Sequence, residues 1–120
     1  MKKDAPAERQ TDLTYEELVF AVRAGGYGRY PTCFFLNELL GFVRAGDERV
    51  TQLFCELLGD SQTPRHDQYT VYVGLSSILN PTEEVQRVLR DFCAKPESQA
   101  LMRQAESVIQ EERRRILAAL

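Results

Sequence analysis

The sequence predicts an all-α fold: one domain of five or six helices, arranged as antiparallel hairpins in a compact bundle or a short solenoid-like stack. Three observations carry this. Apolar residues recur at i, i+3, i+4 and i+7 in segment after segment, the spacing that lines one helix face. Capping residues stand just before several of those segments, and glycine or proline stands after them. The one stretch with alternating apolar residues has no second strand in the chain to pair with.

The opening residues are polar and aperiodic, which predicts a flexible arm over residues 1–12 and a single helical domain over 13–120. Thr14-Tyr15-Glu16-Glu17 then reads as a capping box, in which the Thr14 hydroxyl and the Glu17 carboxylate each satisfy the other's backbone amide. Tyr15, Leu18, Val19 and Val22 form the apolar face of this first helix, with Phe20 lying off it. Gly25-Gly26 ends it, because glycine accepts the left-handed conformation common just past a helix.

Pro31-Thr32 introduces a second helix that runs through Arg44. Phe34, Phe35, Leu36, Leu39, Leu40, Phe42 and Val43 cover most of its circumference, so it is expected at the centre of the bundle. Ala45-Gly46 breaks the chain and Asp47 caps a third helix, whose apolar face is Val50, Leu53, Phe54, Leu57 and Leu58.

Gly59 to Gln68 reads as a polar loop around Pro64, holding His66, with Asp67 as a cap for the next segment. In that segment, Tyr69 to Leu79, Val71, Val73 and Leu75 alternate like a strand, whereas Val71, Leu75, Ile78 and Leu79 share a helical face. With no partner for a lone strand, a helix is expected. Asn80-Pro81-Thr82-Glu83 predicts another helix, capped by Asn80 with Pro81 in its first position. Val85, Val88, Leu89, Phe92 and Cys93 form its face, and Lys95-Pro96 ends it. A last helix is expected from about Glu97 towards Leu120, with Leu101, Ala105, Val108, Ile109, Ile116 and Leu117 facing inwards.

The pattern Arg-Val-x-x-x-Phe-Cys occurs twice, beginning at Arg49 and at Arg87, 38 positions apart. Chance likeness between two amphipathic helices is the simpler account of four matching residues. The spacing nevertheless falls within the roughly 34–47 residues of helical-hairpin repeats. It suggests two hairpins flanked by a first and a last helix.

Composition narrows the function classes. Hydrophobic residues make up 43% of the 120-residue chain, enough for a core and too many for a disordered one. The 15 Lys and Arg against 18 Asp and Glu leave a net charge of −3, which argues against a strongly basic nucleic-acid binder. No apolar run matches a secretory signal or a membrane span, so a cytoplasmic protein without membrane contact is expected. Cys33, Cys55 and Cys93 are odd in number and widely spaced, without a Cys-x-x-Cys pair. They are expected to be reduced and buried, with no disulfide, metal or cofactor.

Catalytic candidates are few. His66, in Arg65-His66-Asp67, is the only histidine, and a thiol enzyme would have to bring it beside one of the cysteines. The expectation is instead a solvated histidine next to a helix cap, in a protein that is not an enzyme. The pairs Glu16-Glu17, Glu83-Glu84 and Glu111-Glu112 read as helix-dipole partners or solvated faces rather than metal ligands.

The least ordinary stretch is Arg23 to Thr32, where glycines, tyrosines and arginine lie between two helices. It lacks the Gly-Lys-Ser/Thr close of a phosphate-binding loop. Tyr and Arg are enriched at interaction hot spots, so Tyr27, Arg29, Tyr30 and the adjoining Phe34 are the candidate contact residues. The function expected is a small adaptor, inhibitor or regulator that binds a protein through helix faces and the Gly25–Thr32 loop. A second copy of the chain is another candidate partner. The alternative is a nucleic-acid-binding regulator using Arg29 and Tyr30 with the triplet Arg113, Arg114 and Arg115.

Overall fold

A computed structural model of the protein describes residues 12–120; the arm expected over residues 1–12 lies, but for Asp12, outside the described residues. The capping box forms as its sequence requires. The Glu17 amide donates to Thr14 Oγ1 at 3.1 Å and the Thr14 amide donates to Glu17 Oε1 at 2.8 Å, which starts α1 at Tyr15–Arg23. The remaining helices are α2 Thr32–Arg44, α3 Glu48–Gly59, α4 Arg65–Ser76, α5 Glu83–Cys93 and α6 Gln99–Ala118. Two short strands, β1 Gly26–Tyr27 and β2 Tyr30–Pro31, lie between α1 and α2. The protein is an all-α helical bundle with a Cα radius of gyration of 13.8 Å. That is near the value of about 13 Å typical of a compact 100-residue domain, so the chain is not drawn out into an extended array.

The central position expected for α2 is observed. It packs on α1, α3 and α4, and it buries Phe35, Leu36, Leu39, Phe42 and Val43. Burying one such side chain contributes roughly 1.5–3 kcal/mol, and α3 adds a comparable set in Val50, Leu53, Phe54, Cys55 and Leu58. Helix α3 packs on α4 and α5, and α6 lies against α4.

Two stacked hairpins, α2–α3 and α4–α5, organise the middle of the molecule. Helices α2 and α4 run side by side in the same direction: Cys33 lies near Asp67 at one end, Gly74 abuts Leu40 midway, and Val43 and Ile78 line one cavity at the other. Helices α3 and α5 also pack together, and Thr51 and Gln52 share a surface cavity with Glu84 and Val85. The repeated pattern occupies equivalent inward positions here. Val50, Phe54 and Cys55 on α3, and Val88 and Phe92 on α5, are all buried.

Several boundaries differ from expectation. Helix α4 starts at Arg65, so His66, Asp67 and Gln68 belong to its first turn rather than to a loop. Asp67 is therefore inside the helix and caps nothing; Pro64 holds the preceding position, where its fixed φ leads into the first turn. Thr82, not Asn80, caps α5, because its Oγ1 accepts from the Val85 amide at 3.3 Å and leaves Asn80 and Pro81 outside. Pro96–Ser98 forms a single 3-10 turn, which delays α6 to Gln99.

The inner face of α6 is also shorter than expected. Leu101 and Ala105 are buried, but Val108 and Leu117 are exposed. Past Ala105 the apolar face thins to the half-buried Ile109 and Ile116, and a polar contact joins them. Glu112 is buried and its Oε2 accepts from Arg44 Nε at 2.6 Å, tying α6 to the end of α2. The cysteines are free, as expected, but only Cys55 is buried; Cys33 and Cys93 are half-buried.

Candidate functional site

Three glycines set the backbone path from α1 to α2. At the end of α1 the Ala24 amide donates to the Phe20 carbonyl at 2.9 Å and the Gly25 amide to Val22 at 3.1 Å. Gly25 then turns the chain with φ +80°. Gly26 continues at φ +121°, and Gly28 takes φ +60° in a two-residue turn with Arg29. A positive φ at the first central residue and a negative one at the second is the type II′ pattern, whose twist suits a hairpin. The segment expected as a plain loop is thus an antiparallel hairpin, with Gly26 opposite Pro31 and Tyr27 opposite Tyr30.

The hairpin carries an aromatic ladder that runs from solvent into the core. The Tyr30 ring stacks on Phe34 with centroids 4.7 Å apart, and Phe34 meets Phe35 edge to face at 5.2 Å. Phe35 is buried while Phe34 is half-buried, so the outer rings rest on a fixed base. Tyr30 remains 50% exposed and Tyr27 65% exposed. Arg29 lies in the turn between the paired tyrosines and is exposed. The structure therefore brings Tyr30 and Phe34 together, holds Tyr27 across from Tyr30, and sets Arg29 between the two tyrosines. Phe20 is exposed on α1 and makes no ring contact with this group.

The arginine triplet is arranged differently. Arg113 donates from Nε and Nη2 to the Ser76 carbonyl at 3.2 and 2.7 Å, satisfying an end group of α4. Arg114 pairs with Glu111 at 3.2 Å and Arg115 with Glu112 at 3.6 Å. Each guanidinium has a partner within the fold, and the three do not form one stripe.

A second constellation brings His66 beside a cysteine, the pairing a thiol enzyme would need and one that was not expected. The ligand atoms of Cys33, His66 and Asp67 lie within 4.8 Å of one another, where the first turns of α2 and α4 meet. His66 Nε2 is 3.5 Å from Asp67 Oδ1, and that oxygen is buried and accepts no hydrogen bond. Burial pushes the Asp67 carboxyl above its ordinary pKa, and the nearby His66 charge partly opposes this. These residues could hold a cation. Sequence reading missed the group because His66-Asp67 looked like a loop and a cap, while Cys33 lies far away along the chain. The sequence offered the residue types, a lone histidine and three cysteines, but nothing that says which cysteine the histidine would meet.

The other cysteines sit in unlike surroundings. Cys55, inside α3, has its thiol pushed up to about 11 mainly by burial. Cys93 donates to the Tyr72 hydroxyl at 3.8 Å. Among the described residues no helix is long and apolar enough to cross a membrane. No family model, curated protein or solved structure matches this chain, so its site is read from geometry.

Proposed function

We propose that this protein is a small, non-enzymatic interaction module, an adaptor, inhibitor or regulator acting in the cytoplasm, whose hairpin binds a protein partner. The observation that supports this reading is an ordered yet exposed aromatic surface. Tyr30 is fixed by stacking on Phe34 and by pairing with Tyr27, while both tyrosines keep half or more of their area open to solvent. Tyr and Arg dominate interaction hot spots because they offer large contact area with a polar tip. Holding such side chains in place before binding lowers the ordering cost, which otherwise runs to roughly 0.5–1.5 kcal/mol per side chain. Three free cysteines suit a reducing compartment.

Affinity capture from native extract, with mass spectrometry and a Tyr27→Ala/Arg29→Ala/Tyr30→Ala control, tests the reading. The recovered protein is then purified and titrated against both forms. Losing hot-spot side chains costs about 2 kcal/mol or more, so the triple variant should bind at least ~30-fold more weakly while keeping its helical spectrum. Equal affinity of the two forms would remove the hairpin from the interface. Sedimentation of the chain alone distinguishes a foreign partner from a second copy.

A further inference from the structure

We propose that Cys33, His66 and Asp67 form a binding site for a single thiophilic divalent cation of the zinc class. The donor set is a thiolate, an imidazole and a carboxylate, the three ligand types that zinc takes from proteins. Their atoms lie within 4.8 Å of one another. With metal–ligand bonds of about 2.0–2.3 Å, tetrahedral geometry sets neighbouring donors roughly 3.3–3.8 Å apart. The contraction needed is on the order of 1 Å, and His66, with 69% of its side chain exposed, has the freedom to supply it.

A separate observation points to a cation. Asp67 is 97% buried, given its 3% relative exposure, yet its Oδ1 accepts no hydrogen bond and faces His66. Buried carboxylates are ordinarily paired, hydrogen-bonded or bound to metal, since an isolated one is costly. Two negative ligands and a neutral imidazole balance a charge of +2, so binding would leave the site neutral. Cys33 lies in the first turn of α2 and Asp67 in the first turn of α4, so both ligands are carried on ordered helix starts that the fold sets side by side. Softness decides the class: thiolate selects zinc-like ions over magnesium or calcium, which prefer oxygen alone. Three protein ligands leave a fourth position for water.

This site shares no residue with the proposed contact surface, and its test is separate. The purified, reduced full-length chain is titrated with Zn²⁺ against a chromophoric chelator, and with Co²⁺ to read the thiolate charge-transfer band. One equivalent of Zn²⁺ should bind, and Co²⁺ should give the band. Cys33→Ser should abolish the band. His66→Ala, a change at an exposed side chain, should weaken Zn²⁺ by more than the roughly 10–100-fold that losing an outer-shell partner costs. Asp67→Asn, which keeps the shape and removes the charge, should also weaken it. Alkylation gives an independent reading: Zn²⁺ should protect Cys33 and leave the rate at Cys93 unchanged. Failure of the wild type to bind one equivalent, or binding that survives both Cys33→Ser and His66→Ala, would overturn the assignment.

Discussion

Replacing Gly26 with alanine should open the hairpin while leaving the helices folded. A Cβ at this position would lie 2.7 Å from the Tyr30 carbonyl oxygen and 3.4 Å from Pro31 Cα. Both are backbone atoms of the paired strand, so neither can yield without breaking the pairing. The φ of +121° adds strain for any L side chain, of order 1–3 kcal/mol. Opposing this is a hairpin of only two residue pairs, whose hydrogen bonds are worth about 1 kcal/mol each. Strain and overlap together exceed that sum, and the least costly escape is for the strands to part. The loss in global stability is then capped near the hairpin's own contribution, about 2 kcal/mol. Gly25 and Gly28 provide controls, since a Cβ at either meets nothing within 4 Å and would add strain without overlap. Limited trypsin digestion after Arg29, alongside urea unfolding, reads the effect. Cleavage should accelerate most in Gly26→Ala and less in Gly25→Ala or Gly28→Ala. Equal rates in all three, or a collapsed unfolding transition in Gly26→Ala alone, would refute the reasoning.

The packing and the charges predict three further outcomes. At Asp47, hydrogen bonding to Arg49 and to the Val50 amide outweighs burial and holds the carboxyl below 3.8, so its stabilising effect is full above that value and fades as pH falls through the lower folded one. Asp47→Ala should therefore cost about 1 kcal/mol at neutral pH, by urea unfolding, and the gap to wild type should close in acid. Gly74→Ala should lose about 1 kcal/mol despite alanine's better helix propensity, because the new Cβ meets Leu40 Cδ2 and the buried Phe54 ring at 2.8 Å; a gain would show that the ring yields. Glu112→Ala removes the acceptor of the 2.6 Å bond from Arg44 and should lower unfolding free energy by about 2 kcal/mol, whereas Glu111→Ala, which loses an exposed pair, should change it by less than about 1 kcal/mol.

The helices were legible in the sequence because each pairs an apolar stripe with its own start signal. Thr14 and Asp47 cap as their side chains dictate, and the all-round apolar surface of α2 places it at the centre. The segment at Tyr69–Leu79 alternates enough to resemble a strand, yet it is helix through Ser76, since burial on several sides lets valines face more than one neighbour. Boundaries failed where two signals compete. Asn80 and Thr82 can both cap, and the hydrogen bond to Val85 settles on Thr82. Glu112 was hidden for another reason: a glutamate in a charged run looks solvated until Arg44, on a distant helix, is known to face it.

The candidate contact residues were legible by composition, but their geometry was not. Glycine content indicated a turn at Gly25–Thr32; it did not reveal that Gly26 and Pro31 pair, or that Tyr30 would stack on Phe34. Such contacts depend on the relative placement of α2 and the strands. The Cys33, His66 and Asp67 group depends still more on tertiary structure, because it exists only where two helix starts from different hairpins meet.

The central claim is that the exposed tyrosines of the hairpin touch another protein. Site-specific photocrosslinking in cells producing the full chain tests it most directly, with a photoreactive phenylalanine at position 27 and, as control, at the exposed Arg90 position on α5. The account predicts a discrete adduct from position 27 that the Arg90 position does not give, and that weakens when Arg29 and Tyr30 are also replaced by alanine. No adduct from position 27, or the same adducts from both positions, would contradict it.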